Sequence, residues 1–156
     1  MKFFLSLLTL LMIAAVSPAA RQTPSPAPID PTGQWNVSFA LPNIGVKELS
    51  LTCHANRTAL FKLNDPSATD KSVVDGVPAV WSPVSNGRIN FSGEVELPKG
   101  TCCREVGTLI LKGTSSSANA IAGKAIFVST TTDEENFNGF SSLTGTFTAT
   151  RKSNKE

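Results

Sequence analysis

The sequence predicts an all-β protein, a single up-and-down barrel of eight antiparallel strands. After residue 31, apolar and polar residues alternate in many short runs, and no apolar repeat at helical spacing continues for long. Because successive side chains of a strand point to opposite faces, each run can bury one face and expose the other. The loops are of hairpin or modest length and contain no crossover helix, which favours antiparallel pairing. A sandwich is the other common arrangement of such strands, but a barrel removes both sheet edges.

Turn-forming residues separate the eight runs. Asn86-Gly87 is the strongest hairpin signal, because both residues tolerate positive φ. Pro78 and Pro83 predict an irregular fourth strand, since proline lacks the N–H group that a sheet uses. The polar stretch 130–142 is predicted to be a loop. The strands are predicted at 33–41, 46–54, 57–64, 76–84, 88–97, 102–113, 120–129 and 143–151, with Ser115–Ser117 in the loop after the sixth.

The alternation also predicts which side chains point into the barrel. Eight strands can enclose either packed side chains or one small ligand. The same inward residues are therefore candidates for a ligand cavity and for a plain core, and both interpretations stay open. The candidate cavity residues are Val37, Phe39, Leu49, Leu51, Phe61, Leu63, Trp81, Ile89, Phe91, Val95 and Phe147.

Two residues near the ends of the predicted sheet are expected to close the barrel. Trp35 lies near the start of the first strand, and Arg151 ends the last. In a closed barrel these two strands pair with each other, and the alternation predicts that both side chains point into the barrel. Arg151 is therefore predicted to lie across the Trp35 ring, a contact that contributes about 0.5–2 kcal/mol depending on burial.

The segment Gly33-Gln34-Trp35, together with the terminal Arg151, resembles the shared signature of the calycins, the lipocalin, fatty-acid-binding and avidin-like barrels. The ending from Gly145 to Arg151 also resembles small secreted bacterial proteins of unknown function with such a barrel. The resemblance implies the fold and a closing role for Gly33, Trp35 and Arg151. It implies no ligand site, because the chain has no tyrosine and the ligand-binding patterns of these families use tyrosine.

The first part of the chain has the pattern of a secretory signal peptide. Met1-Lys2 precedes an apolar run to Val16 and then small residues, with cleavage expected after Ala19. The domains are predicted as a signal peptide (1–19), a proline-rich linker (20–31), a barrel (32–152) and a polar tail (153–156). The protein is therefore expected to be secreted or periplasmic, with no membrane span in the mature chain.

Three cysteines occur, and in an exported protein they favour a disulfide. A bond between Cys53 and either Cys102 or Cys103 is predicted, because a bond between adjacent cysteines strains the peptide between them. Three reduced thiols are the alternative. No metal site is predicted, because Cys53 and His54 point to opposite faces of a strand and no C-x₂₋₄-C spacing occurs.

Few residues lie in an arrangement that indicates catalysis. Glu94 and Glu96 lie on the outward parity of the fifth strand and are interpreted as surface charge, as is Asp133-Glu134-Glu135 in a loop. Lys124 lies on the seventh strand, and the sequence does not decide whether its side chain points into the barrel or outward. No Gly-X-Ser-X-Gly elbow occurs. Three sequons, at Asn36, Asn56 and Asn90, permit glycans in a eukaryotic host.

The expected function is that of a non-enzymatic barrel that binds a small apolar or amphipathic molecule in its cavity. A net charge of +2 without a cluster of basic residues argues against a nucleic-acid partner, and no cofactor is predicted. One alternative is a filled-core structural or protein-interaction module. A barrel isomerase or cyclase is a second alternative. The oligomeric state is left open.

Overall fold

The computed structural model describes residues 29–64, 76–99, 103–129 and 141–153. They form a closed barrel of eight antiparallel strands in sequence order, in which β1 also pairs with β8. The predicted fold class is confirmed. The predicted signal peptide, Cys102 and Asp133–Glu135 lie outside the described residues. The strands are β1 (Gly33–Leu41), β2 (Gly45–Cys53), β3 (Thr58–Leu63), β4 (Val77–Val84), β5 (Arg88–Lys99), β6 (Cys103–Ser117), β7 (Ala120–Ser129) and β8 (Ser142–Arg151).

The alternating strand directions give the barrel two different ends. At the first, called the Trp35 end, β1 begins and β8 ends, and short connections join β2 to β3, β4 to β5 and β6 to β7. At the other, the Leu41 end, β1 ends and β8 begins. The Asn86-Gly87 turn lies at the Trp35 end with φ values of 63° and 68°, as the hairpin signal predicts.

The sixth strand is longer than predicted. Ser115–Ser117 was expected to be a loop but continues β6, with an irregularity in the β6–β7 register between Ser115 and Ser117. The Ser115 N–H donates to the Gly87 carbonyl, and its hydroxyl donates to the Ser117 carbonyl over 2.7 Å. These bonds satisfy main-chain groups across the bulge, so the strand continues through residues that typically form turns.

Apolar side chains fill the described barrel interior. Ten of the eleven candidate cavity residues are buried there, and the eleventh, Trp81, is half-buried against the core. Glycine allows the tightest packing: a Cβ at Gly113 would lie 2.8 Å from Phe147 Cζ and closer still to Ile121 Cγ2. The sequence left the β7 parity open, and the structure places Ile121, Ala125 and Phe127 inward.

Gly113→Ala tests whether the interior is filled. The added methyl group has no free volume between Phe147 and Ile121, so we expect the free energy of unfolding to fall by about 1–3 kcal/mol. Urea denaturation measures the change. Ala122→Val, which adds methyl groups on the exposed face of β7, is the control and is expected to stay within about 0.5 kcal/mol of the parent protein. Equal stability of both variants would show that the interior has room.

Candidate functional site

The first candidate site is the closing contact at the Trp35 end. Trp35 and Arg151 are direct cross-strand partners between β1 and β8. The indole is fully buried, and the Arg151 guanidinium carbon lies 4.4 Å from its ring centroid. The contact therefore covers the indole with a cation at the point where the sheet closes.

The main chain before β1 completes this contact. Arg151 donates from Nη1 to the Thr32 carbonyl, from Nη2 to the Asp30 carbonyl over 2.6 Å and from Nε to the Ala118 carbonyl over 3.3 Å. Trp35 Nε1 donates to the Pro31 carbonyl over 2.7 Å. Just before β1, Ile29 packs against the core and Pro31 is buried.

Gly33 is required beside the closing pair for two reasons. Its φ of 115° is one that L side chains rarely adopt, and a Cβ there would lie 3.2 Å from Arg151 Nη1. Close by, hydrogen bonds from the side chain and main chain of Thr32 lower the pKa of Asp30, and the Arg151 charge adds to the effect. The Trp35 end is thus a structural closure in which Trp35 Nε1 and the Arg151 guanidinium already have partners.

The predicted disulfide of Cys53 stays a prediction, because Cys102 and the side chain of Cys103 lie outside the described part of the chain. Cys53 carries a free, buried thiol at the Trp35 end, opposite Gly33. The main chain of Cys103 begins β6 at the Leu41 end, opposite Lys99. Burial raises the pKa of the Cys53 thiol to about 12, which keeps it protonated at neutral pH.

The second candidate site is an opening that the described residues leave in the barrel wall between β4 and β5. The two strands pair from Val84 and Arg88 only as far as Ala79 and Gly93, although β5 continues to Lys99. A cavity of about 220 Å³ lies where the ladder ends. We name it the β4–β5 cleft, and it is lined by Phe61, Leu63, Val77, Glu94, Val95, Glu96 and Val106.

A proline explains where the ladder stops. The Trp81 N–H donates to the Arg57 carbonyl on the β3 side of β4. Since main-chain N–H groups alternate between the two sides of a strand, the Pro78 nitrogen faces β5, where it has no hydrogen to donate. The predicted irregularity at Pro78 is therefore the end of the pairing between β4 and β5. On the other side of β4, Pro78 still pairs with Leu60 of β3.

The cleft combines an apolar wall with two carboxylates. Its inner side is formed by side chains that point into the barrel, those of Phe61, Leu63 and Val95. The side chains of Glu94 and Glu96, on either side of Val95 in β5, point outward. Glu96 is engaged: its Oε1 lies 3.3 Å from Arg104 Nε, and Arg104 Nη2 donates to its carbonyl over 3.2 Å. Glu94 is exposed. Alternation along β5 predicts both glutamates at the surface and gives no sign that they adjoin Phe61 and Leu63 of β3.

The remaining sequence candidates lie apart from both sites. His54 and Lys124 are exposed, and the His54 carbonyl accepts a 2.9 Å bond from Trp81 Nε1. Of the sequon asparagines, Asn36 and Asn56 are exposed and Asn90 is half-buried. Within the described ranges no three His, Cys, Asp or Glu side chains come together as metal ligands. That part of the chain also holds no helix with the length and apolarity that a membrane span requires.

Arg151→Ala tests the closing contact. The variant loses the contact with Trp35 and three hydrogen bonds to carbonyl groups, so we expect the free energy of unfolding to fall by about 2–3 kcal/mol. Arg151→Lys keeps the charge and loses the planar fork, so an intermediate loss is expected. Denaturant unfolding measures both, with Lys124→Ala on the exposed face of β7 as the control. A loss no larger than that of the control would contradict the closing role.

Cys53 predicts a pH dependence of stability. Its pKa is about 12 in the folded protein against an ordinary 9.0, so unfolding favours the thiolate once the pH exceeds about 9. The stability from the buried thiol is complete below pH 9 and is lost toward pH 12, by up to about 1.4 kcal/mol per pH unit. Urea unfolding at pH 8, 9 and 10 should show the parent protein losing stability faster than Cys53→Ala. Parallel profiles would contradict this assignment.

Comparisons with protein-family models, with curated proteins and with solved structures give no match for this chain. The closed eight-stranded antiparallel barrel is consistent with the calycin-like resemblance of Gly33, Trp35 and Arg151. A barrel of this kind serves many roles, and the fold alone does not specify one.

Proposed function

We propose that this protein is an exported, non-enzymatic binding module that takes a small apolar or amphipathic molecule in the β4–β5 cleft. The cleft carries the proposal because it is where the sheet leaves the apolar side chains of Phe61, Leu63 and Val95 beside an opening in the wall. The signal-like pattern of residues 1–19 supports export.

The filled interior favours a ligand in the wall over one at the barrel centre. The buried side chains occupy the described interior, and glycines such as Gly113 leave no room for one more methyl group. The cleft volume of about 220 Å³ equals that of about seven water molecules. This is below the usual range of pockets for drug-sized ligands, so the ligand, or the part of it that enters, is small.

A protein-interaction module is the second candidate, and one observation favours it. Leu60 and Val80 are 40% and 58% exposed on the outer face of β3 and β4, beside a filled barrel. An isomerase or cyclase would require an inward cluster of polar side chains. The buried side chains of the described residues are apolar except for Ser129, so the cleft supports binding better than catalysis.

Titration of the isotopically labelled protein with hexanol tests the proposal. Hexanol is neutral and small enough for the cleft, so we expect saturable amide shifts centred on Phe61, Leu63, Val77 and Val95, in the millimolar range for so few atoms. Val77→Trp, which fills the cleft from β4, should weaken binding at least tenfold. Val80→Trp, on the outer face of the same strand, is the matched control and should bind as the parent protein does.

Two results would overturn the cleft as a binding site. The first is a lack of saturable shifts around these residues, and the second is equal binding by the two tryptophan variants. Native mass spectrometry of the protein purified from its own host addresses the natural ligand. A co-purifying small molecule that Val77→Trp loses would support the proposal, whereas one that this variant retains would place the ligand elsewhere.

A further inference from the structure

We propose that the polar group of the ligand is a cation, so that the β4–β5 cleft selects small amphipathic amines over acids and alcohols. This inference rests on the proposed function, because it names the chemical class that the same cleft takes. It follows from the carboxylates of Glu94 and Glu96 beside the cleft and from the ion pair that Arg104 already forms with Glu96.

The two carboxylates differ in their state of pairing. Glu96 forms an ion pair with Arg104, which also donates to the Glu96 carbonyl. Glu94 is exposed and forms no ion pair with any described residue. Both flank Val95, which belongs to the inner side of the cleft. Glu94 thus supplies a negative charge beside an apolar surface, the complement of an ammonium group attached to a short apolar chain.

The described charges beside the cleft do not favour an acid. Arg104 lies next to the cleft, and Glu96 engages it through both its side chain and its main chain. An anionic ligand would have to compete with Glu96 for Arg104 and approach Glu94 at the same time. Both effects disfavour a carboxylate head group.

Lys62 and Lys152 line a different depression on the outside of the barrel. That depression lies over β1, β2 and β3 and also includes Ser50 and Thr52. The side chain of Lys62 points outward from β3, as those of Glu94 and Glu96 do from β5. The two lysines are therefore separated from the carboxylates by their position along the sheet and not by the barrel wall.

The arrangement specifies how such a ligand would bind. Its apolar part would contact Phe61, Leu63 and Val95, and its ammonium group would donate hydrogen bonds to the Glu94 carboxylate while the remaining donor stays in water. No covalent step is involved. Because Glu94 is exposed, the charge contributes modestly and is screened by salt.

A comparison of hexylamine, hexanol and hexanoate at pH 7 and low salt tests the inference, with Kd measured by the amide-shift titration. We expect hexylamine to bind about threefold to fivefold more tightly than hexanol, and hexanoate more weakly than both. Glu94→Gln should remove the preference for the amine and leave hexanol binding unchanged. Glu48→Gln, which neutralises an exposed carboxylate on β2, is the matched control and should keep the preference.

The outcomes separate this inference from the proposed function. Equal binding of the three probes, all of it lost in Val77→Trp, would overturn the cation preference while the cleft stays a binding site. An amine preference that persists in Glu94→Gln would also overturn the assignment to Glu94. If no probe binds at the cleft, the proposed function fails and this inference fails with it.

Discussion

Closure of β1 onto β8 is the constraint on which the rest of this structure depends. An eight-stranded sheet that failed to close would present two unpaired edges and open its apolar face to water. Trp35 and Arg151 stand opposite each other at that seam, and Arg151 also binds the carbonyls of the chain segment entering β1. The closing contact therefore combines the Trp35 ring, the Arg151 guanidinium and main-chain carbonyl groups. It also includes the residues just before β1 in the fold.

A closed barrel of eight strands has little interior volume, and this chain fills it. Phenylalanine side chains from β1, β3, β5, β7 and β8 are buried inside the barrel. Glycines occupy positions where a larger side chain would collide with a phenylalanine ring. Such packing stabilises the fold and, among the described residues, leaves the barrel centre to side chains. The proposed binding therefore uses the place where the described pairing of β4 with β5 ends.

Alternation was sufficient to predict most of the strands and most of the inward residues, although not those of β7. Val37, Phe61 and Phe147 could be placed because apolar residues alternate around them, and Trp35 and Arg151 because strand order makes them neighbours. The cleft could not be predicted in this way. It depends on which side of β4 the Pro78 nitrogen faces, and that follows from register rather than from alternation. The disulfide of Cys53 stays a prediction for a related reason: residue type alone indicates a bond, whereas its formation depends on where strand direction brings the partner.

The end of the β4–β5 ladder also bears on the proposed binding. Pro78 lacks a main-chain donor toward β5, and β4 itself begins one residue earlier, at Val77. The described main chain limits the ladder without a ligand, and a preformed site would avoid the ordering cost that a flexible one incurs on binding. Under the proposal, selectivity would depend on the adjacent strand positions, because Glu96 is committed to Arg104, whereas Glu94, two residues earlier on the same face, is exposed and has no ion pair among the described residues.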